Sequence, residues 1–167
     1  SEVLPDTGRG HKTRSLVRVQ HGCTNRCAYC IVPLVRQECF SRTPSEVLKE
    51  IHDRVEAGYA EIVLTGTEIG SYKYCGVQLK ELVLKILQNS QVKRLRLSSL
   101  QPHHFQDGLL DLWDDERLCP HFHISLQSGS DSVLKRMNRR YNRDSYKDIV
   151  QRIQQKVVDV AITTDVI

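Results

Sequence analysis

The sequence predicts an α/β fold built on a mostly parallel β-sheet with helices outside it. Segments of strand and helix character alternate along the chain, and the apolar strands run into turns that carry cysteine, glycine or small polar residues. Such alternation is typical of strand-helix-strand units, whose sheet is either open or curled into a barrel. The chain has 167 residues, of which 40% are hydrophobic, so it can bury the core of one domain. Periodicity alone does not choose between the open sheet and the barrel.

The first unit is a strand, a cysteine-rich loop and a helix. Residues 15–20 read as a strand that ends directly at the loop. The helix starts at Thr43, because Thr43 and Glu46 form a capping box around a proline that suits the first turn. Gly58 marks its end.

The remaining units repeat this pattern. Further strands are predicted at residues 61–65, 94–99, 122–126 and 158–163, and helices at residues 79–87, 105–113, from Ser130 or Asp131, and around 146–153. The count is therefore about five strand-helix units.

Composition limits the classes of function. The formal net charge is +4, which permits binding to a polyanion without requiring it. The densest basic stretch either contacts RNA phosphates or forms a solvated helix surface; it consists of Lys135, Arg136, Arg139, Arg140 and Arg143. No apolar run is long enough for a membrane helix, and we expect a cytoplasmic protein without a membrane partner.

Three of the six cysteines form a compact metal-type motif. Cys23, Cys27 and Cys30 are spaced CxxxCxxC, and three thiolates on one short loop can bind three corners of a four-iron cluster. A structural zinc site usually has four ligands in two pairs, and a thioredoxin-like pair would leave Cys23 without a role. Zinc remains an alternative. Cys39, Cys75 and Cys119 are expected to be free thiols rather than ligands.

Several ordered motifs resemble one enzyme family. The stretches GCTNRCAYC (22–30), GYAEIVLTG (58–66), RLRLSSL (94–100), LCPHFHISLQSGSD (118–131) and LKRMNRRY (134–141) resemble the methylthiotransferase branch of the radical S-adenosylmethionine (SAM) enzymes. The resemblance implies a partial (β/α)6 barrel. It also implies a [4Fe–4S] cluster on Cys23, Cys27 and Cys30 whose open iron binds SAM and cleaves it to a 5′-deoxyadenosyl radical.

The same resemblance implies a set of SAM contacts. Tyr29 precedes the third cysteine, where the family places an aromatic near adenine. Residues 65–68 occupy its glycine-motif position, and a pair like Gln127 and Arg139 serves ribose and carboxylate in related enzymes. The implied cofactor-binding residues are Tyr29, Thr65, Gly66, Thr67, Ser99, Gln127 and Arg139. Cys119, His121 and His123 are not taken as a metal site, because the histidines alternate on a strand without matching ligands elsewhere.

The implied reaction is methylthiolation of C2 of adenosine 37 in tRNA, with N6-threonylcarbamoyladenosine as the expected form. Alternatives are an aspartate of a ribosomal protein as substrate, or a non-catalytic zinc-stabilised binding module. The implied partners are a tRNA anticodon loop and an electron donor such as flavodoxin or ferredoxin. Residues 1–14 are expected to be a linker from an absent amino-terminal domain and 15–167 a carboxyl-terminally truncated core. An auxiliary [4Fe–4S] cluster is expected only in a longer protein, so this segment should not complete the reaction alone.

Overall fold

A computed structural model describes residues 13–36, 38–105 and 108–167. The strands in these ranges are β1 (Arg14–His21), β2 (Phe40–Ser41), β3 (Glu61–Gly66), β4 (Lys73–Tyr74), β5 (Val77–Gln78), β6 (Arg94–Leu97), β7 (His121–His123) and β8 (Ala161–Thr163). The α-helices are α1 (Val32–Val35), α2 (Pro44–Glu56), α3 (Leu79–Asn89), α4 (Asp131–Arg136) and α5 (Arg143–Lys156). The predicted linker over 1–14 lies largely outside the described residues, and Arg14 already belongs to β1.

The sheet is mostly parallel, which confirms the predicted fold class. Strands β1, β3 and β6 are parallel neighbours, and β2 is an antiparallel edge. Strands β7 and β8 form a second parallel pair. A parallel bridge between Leu100 and Ile124 joins the two groups beyond the end of β6. The five parallel strands correspond to the five predicted units, and the sheet curls into a partial barrel.

Helices α2, α3 and α5 each contribute buried residues to the hydrophobic core that the parallel strands share. The predicted capping box of α2 is present: the backbone N–H of Glu46 donates to Thr43 Oγ1 over 3.1 Å, and the Thr43 N–H donates to the Glu46 carboxylate over 2.9 Å. The predicted apolar spacing of α3 buries Leu79, Leu82, Val83, Ile86 and Leu87. Across the described ranges, every helix is too short or too polar to cross a membrane.

The predicted helix at 105–113 is wrong. A 3₁₀ turn at Leu110–Asp114 occupies the second half of this segment, another at Pro102–His104 precedes it, and residues 106 and 107 lie outside the described ranges. Leu109, Leu110 and Leu112 are all buried. A regular α-helix has only one face toward a core, whereas tight 3₁₀ turns let these closely spaced leucines reach it from a short connection. The strands predicted at 122–126 and 158–163 are shorter in the structure than in the prediction. Regular parallel pairing between them is limited to β7 and β8.

The amino-terminal edge of the sheet is held by one carboxylate. Glu61 begins β3 and accepts from Arg14, Arg94 and Arg96 at 2.6, 3.3 and 3.1 Å. Burial by itself would raise the pKa of Glu61, but the hydrogen bonds from Arg96 and Arg94 outweigh it and hold the pKa below its usual range. The carboxylate thereby joins the first residues of β1, β3 and β6.

Replacing Glu61 by glutamine should lower the free energy of unfolding at neutral pH by roughly 2 kcal/mol, because the arginines lose a charged acceptor. A lowered folded-state pKa means that this stabilisation is present above the ordinary carboxyl pKa of 4.5 and is lost as the pH falls below it. Urea denaturation over a pH series measures both effects. Glu56→Gln, at an exposed position on α2, is the matched control. Equal stabilities of Glu61→Gln and wild type at neutral pH would contradict the assignment.

Candidate functional site

The predicted site residues gather at the carboxyl-terminal edge of the parallel strands. The cysteine loop follows β1, Thr67 and Glu68 follow β3, Ser99 follows β6 and Gln127 lies beyond β7. In parallel α/β folds this edge collects the loops that carry chemistry. Segments far apart in the chain therefore form one surface.

The cysteine loop is shaped by Gly22. Its φ of +76° lies in the left-handed region, and a Cβ added there would sit 2.2 Å from the carbonyl oxygen of Glu38. Gln20, buried at the end of β1, donates from Nε2 to the carbonyl oxygens of His21 and Gly22 over 2.9 and 2.8 Å. Glycine and a buried amide thus set the path of the chain into the motif.

The three motif cysteines are half-buried free thiols. Among the described residues, the only group of three histidine, cysteine or acidic side chains with ligand atoms within 4.8 Å of one another is Glu68, His103 and His104. The three sulfurs are therefore spread more widely than that. One zinc ion at about 2.3 Å from each sulfur would draw them to roughly 3.8 Å apart. At least one pair of the motif sulfurs is therefore farther apart than a single bound zinc ion would hold it.

Glu68 is the centre of a buried polar network. Its carboxylate accepts from the Cys23 thiol over 3.1 Å, from the Asn25 amide, and from Gln101 Nε2 over 3.3 Å. The side chain of Glu68 is 5% exposed. Its backbone N–H donates to Gln20 Oε1 over 2.8 Å, so the same residue also ties the end of β1 to the turn after β3.

A histidine supports this carboxylate from the opposite side. His104 Nδ1 accepts the backbone N–H of Gln101 over 3.2 Å, which leaves the proton on Nε2, 3.3 Å from Glu68. Burial alone would raise the pKa of Glu68, but hydrogen bonds from His104 and Cys23 outweigh it, and the pKa lies below its usual range. Burial and the contact with Glu68 raise the pKa of the Cys23 thiol to about 11. Metal binding has to displace that proton.

Arg139 joins the second motif cysteine to two predicted SAM contacts. Its Nη1 donates to Cys27 Sγ over 3.2 Å and to the Tyr29 hydroxyl over 3.4 Å, and Tyr29 donates to Gln127 Oε1 over 2.9 Å. Arg139 Nε donates to the Tyr141 hydroxyl over 3.0 Å. Within the described ranges, Nη2 of Arg139 has no hydrogen-bond partner, so the guanidinium keeps donors for a ligand.

Gln127 adopts a strained backbone conformation. Its φ is +67°, which is uncommon for a residue other than glycine, asparagine or aspartate. The residue is buried, and its N–H donates to the carbonyl oxygen of Asp165 over 2.9 Å. Strain of this kind persists where surrounding contacts hold it, and it clusters at functional sites.

Thr65, Gly66 and Thr67 also lie at this edge of the sheet, where they contact other residues of the chain. A Cβ on Gly66 would sit 2.9 Å from the carbonyl oxygen of Gln20, so this glycine permits the close approach of β1. Thr67 Oγ1 accepts from Arg36 over 3.2 Å, and Thr65 is in register with Arg18.

The two serines after β6 differ in their partners. Ser99 Oγ pairs with His123 Nδ1 over 2.8 Å. The neighbouring hydroxyl of Ser98 is buried with no partner among the described residues, as is Oδ1 of Asn25. Ser98, rather than Ser99, therefore has an unsatisfied group on this edge.

Sequence reasoning missed five residues of the network. They are Gln20, Asn25, Glu68, Gln101 and His104. Glu68 had a signal, because it is the last residue of the glycine motif at 65–68, although it is not in the implied set of SAM contacts. The others act through contacts between distant segments and match no local pattern.

A family model described as the radical SAM superfamily matches residues 17–167. This chain belongs to the radical SAM superfamily. Members of that superfamily use a [4Fe–4S] cluster and SAM. The three thiols on one loop, the donors to Cys23 and Cys27, and the unsatisfied polar atoms of Asn25 and Ser98 fit these groups.

Curated relatives extend over nearly the whole chain. A tRNA-2-methylthio-N(6)-dimethylallyladenosine synthase from Clostridium tetani (strain Massachusetts / E88) is 38% identical over 163 residues, which cover 95% of this chain and 36% of that protein. A synthase of the same name from Staphylococcus aureus (strain JH9) is 35% identical, covering 99% and 33%. The chain thus spans about a third of the length of these relatives.

Solved structures support the fold. The radical SAM methyltransferase TsrM from Kitasatospora setae, with cobalamin and a [4Fe-4S] cluster bound, superposes with a TM-score of 0.72 at 17% identity, over 90% of this chain and 30% of that one. The cobalamin-dependent radical enzyme OxsB gives 0.73 at 14%, over 91% and 23%. The predicted partial barrel is therefore confirmed.

Replacing Gly22 by alanine should lower the iron bound after anaerobic reconstitution to well below half of the wild-type amount, because the added methyl group collides with the Glu38 carbonyl and displaces the loop. Iron and sulfide analysis measures this. Gly76→Ala is the matched control, since Gly76 has a similar φ of +82° but nothing within 4 Å of the added Cβ. Equal iron in both variants would contradict the role of Gly22.

Proposed function

We propose that this chain forms the cluster- and SAM-binding core of a tRNA methylthiotransferase. The observation that carries the proposal is the convergence of the cysteine loop, Glu68 and Arg139 at one edge of the sheet. The names of the relatives support the reaction class. Because the chain spans about a third of those relatives, the complete reaction belongs to a longer protein.

In this proposal Cys23, Cys27 and Cys30 bind three irons of a [4Fe–4S] cluster. When bound, the cluster supplies the electron that cleaves SAM to a 5′-deoxyadenosyl radical. The Asn25 backbone N–H and Arg139 Nη1 lie 3.4 and 3.2 Å from Cys23 and Cys27 sulfurs, respectively. Such hydrogen bonds stabilise thiolate charge and tune the potential of iron-sulfur sites. The electron donor would be a small redox protein such as flavodoxin or ferredoxin.

The remaining polar residues would each bind a different part of SAM. Cys23 as an iron ligand has no thiol proton, so the Glu68 oxygen that accepts it in the metal-free chain becomes available to the SAM ammonium. Arg139 offers Nη2 to the carboxylate. Tyr29 would contact the adenine and Gln127 the ribose, as the family resemblance implies. Contacts by Thr65, Gly66, Thr67 and Ser99 complete the set that the family resemblance implies.

The substrate proposed is adenosine 37 in a tRNA anticodon loop, with methylthiolation at C2. An unpaired loop base suits this, because proteins read unstacked RNA bases directly. The relatives' names favour RNA over a ribosomal protein and refer to an N6-dimethylallyl group. The motifs at residues 66–72 and 135–141 instead resemble enzymes for the N6-threonylcarbamoyl form, which we retain as the proposed substrate.

Anaerobic reconstitution followed by reductive SAM cleavage tests the core of the proposal. We expect about four irons per chain, as the cluster type requires, and formation of 5′-deoxyadenosine. The Cys27→Ala variant should form none, since it lacks an iron ligand. Zinc in place of iron, or cleavage by both proteins alike, would overturn the proposal.

Replacing Glu68 by glutamine should raise the SAM concentration for half-maximal cleavage by about tenfold, because a charged acceptor for the ammonium is lost. The iron content should also fall, because the carboxylate holds the cysteine loop through Cys23 and Asn25, so cleavage is expressed per bound cluster. Titration of 5′-deoxyadenosine formation against SAM measures the first quantity and iron analysis the second. Unchanged SAM dependence of the cleavage per bound cluster would contradict the role of Glu68.

The N6 group is tested by binding of two anticodon stem-loop RNAs that differ only at that position. Tighter binding of the threonylcarbamoyl RNA than of the dimethylallyl RNA is expected, because its carboxylate has arginines near the site to pair with. The reverse order would assign this chain the substrate named for its relatives.

A further inference from the structure

A cavity separate from the cysteine loop lies between the 3₁₀ turn Pro102–His104 and helix α5. Its volume is about 360 Å³. Phe105, Tyr141 and Ile149 are buried residues that contribute apolar surface to it. Aromatic and aliphatic walls of this kind accept the flat face of a nucleobase.

The polar lining of the cavity is predominantly basic. Arg140 and Arg152 are exposed and line it, with Asp148 as the one acidic residue among the described lining. Within the described ranges, neither arginine has a carboxylate within 4.0 Å, although Asp148 lies one helical turn from Arg152. Two guanidinium groups without an ion pair are suited to an anion such as a phosphate.

The cavity shares its walls with the candidate cofactor site. His103 lines the cavity, and its Nε2 lies 4.0 Å from Glu68, which contacts Cys23. On the other side, Tyr141 accepts from Arg139, which contacts Cys27. A polymer that places one of its units at the cysteine loop would therefore have the next unit within reach of the cavity.

We propose that this cavity binds a nucleotide of the RNA substrate that neighbours the modified base. Arg140 and Arg152 hold its phosphate, and the apolar wall of Phe105, Tyr141 and Ile149 packs against its base. The inference rests on the proposed function for the identity of the substrate. It adds a specific subsite, formed by α5, the residues just before it and the connection after β6.

The composition of the cavity favours this ligand over a small anion. A free phosphate would use the arginines but leave most of the 360 Å³ cavity to water, whereas a nucleotide fills the cavity and contacts both kinds of surface. Its open rim also suits one unit of a longer strand. Phosphate contacts add affinity that depends on salt, and stacking adds affinity that does not depend on charge.

Binding of an unmodified anticodon stem-loop RNA to the reconstituted chain tests the proposal, measured by fluorescence anisotropy over a salt series. The Arg140→Ala/Arg152→Ala variant should bind roughly tenfold more weakly, and the slope of log affinity against log salt should fall by about 0.7, from the loss of contact with one phosphate of a single strand. The matched control, Lys85→Ala/Lys147→Ala, removes the same charge from exposed positions outside the cavity. It should bind nearly as wild type.

A second variant separates charge from shape. Arg140→Lys/Arg152→Lys keeps the charge and should keep most of the salt dependence, while losing the planar groups that bind phosphate with two hydrogen bonds. Binding by the alanine variant equal to that of wild type, or an equal loss in the lysine-to-alanine control, would overturn the proposal.

The two proposals fail in different ways. Normal 5′-deoxyadenosine formation by a wild-type chain that binds no RNA would overturn the cavity and leave the radical SAM core standing. RNA binding that depends on Arg140 and Arg152, in a chain that takes up no iron, would support the cavity and overturn the cluster proposal.

Discussion

The buried carboxylate of Glu68 is the interaction on which the candidate site depends. It joins the turn after β3, to which Glu68 belongs, to the cysteine loop through Cys23 and to the connection after β6 through His104. The backbone N–H of Glu68 separately binds Gln20 at the end of β1. A carboxylate with this little exposure is stable only when its oxygens are hydrogen-bonded. The need to satisfy that charge therefore holds the three loops in one arrangement, and the cysteine motif takes its place within it.

A second set of contacts holds the cysteine loop from the other side. The Ala28 N–H donates to the carbonyl oxygen of Met137 over 3.0 Å, and Asn138 Nδ2 donates to that of Arg26 over 2.7 Å. Arg139 then reaches Cys27. Asn138 has a φ of +56°, which its side-chain hydrogen bond helps to hold. The connection between α4 and α5 thus contributes both the support of the loop and the cation beside it.

The two edges of the sheet use charge for different purposes. At the amino-terminal edge Glu61 accepts from three arginines and fastens the starts of three strands. At the carboxyl-terminal edge, polar atoms of Asn25 and Ser98 have no partner in the described structure, and Gln127 has a strained backbone. Stabilising interactions at one end of a parallel sheet allow unsatisfied, ligand-ready groups at the other.

The sequence by itself determined the five parallel strands, the capped helix α2, the cysteine motif and the superfamily, because each depends on residues close together in the chain. It also indicated Tyr29, Gln127 and Arg139, which the structure joins in one hydrogen-bond network. Only the tertiary structure decided that Glu68 links Cys23 to His104, and that the segment after β6 forms 3₁₀ turns. Such features arise from contacts between segments more than thirty residues apart and from packing against the core, which local periodicity does not encode.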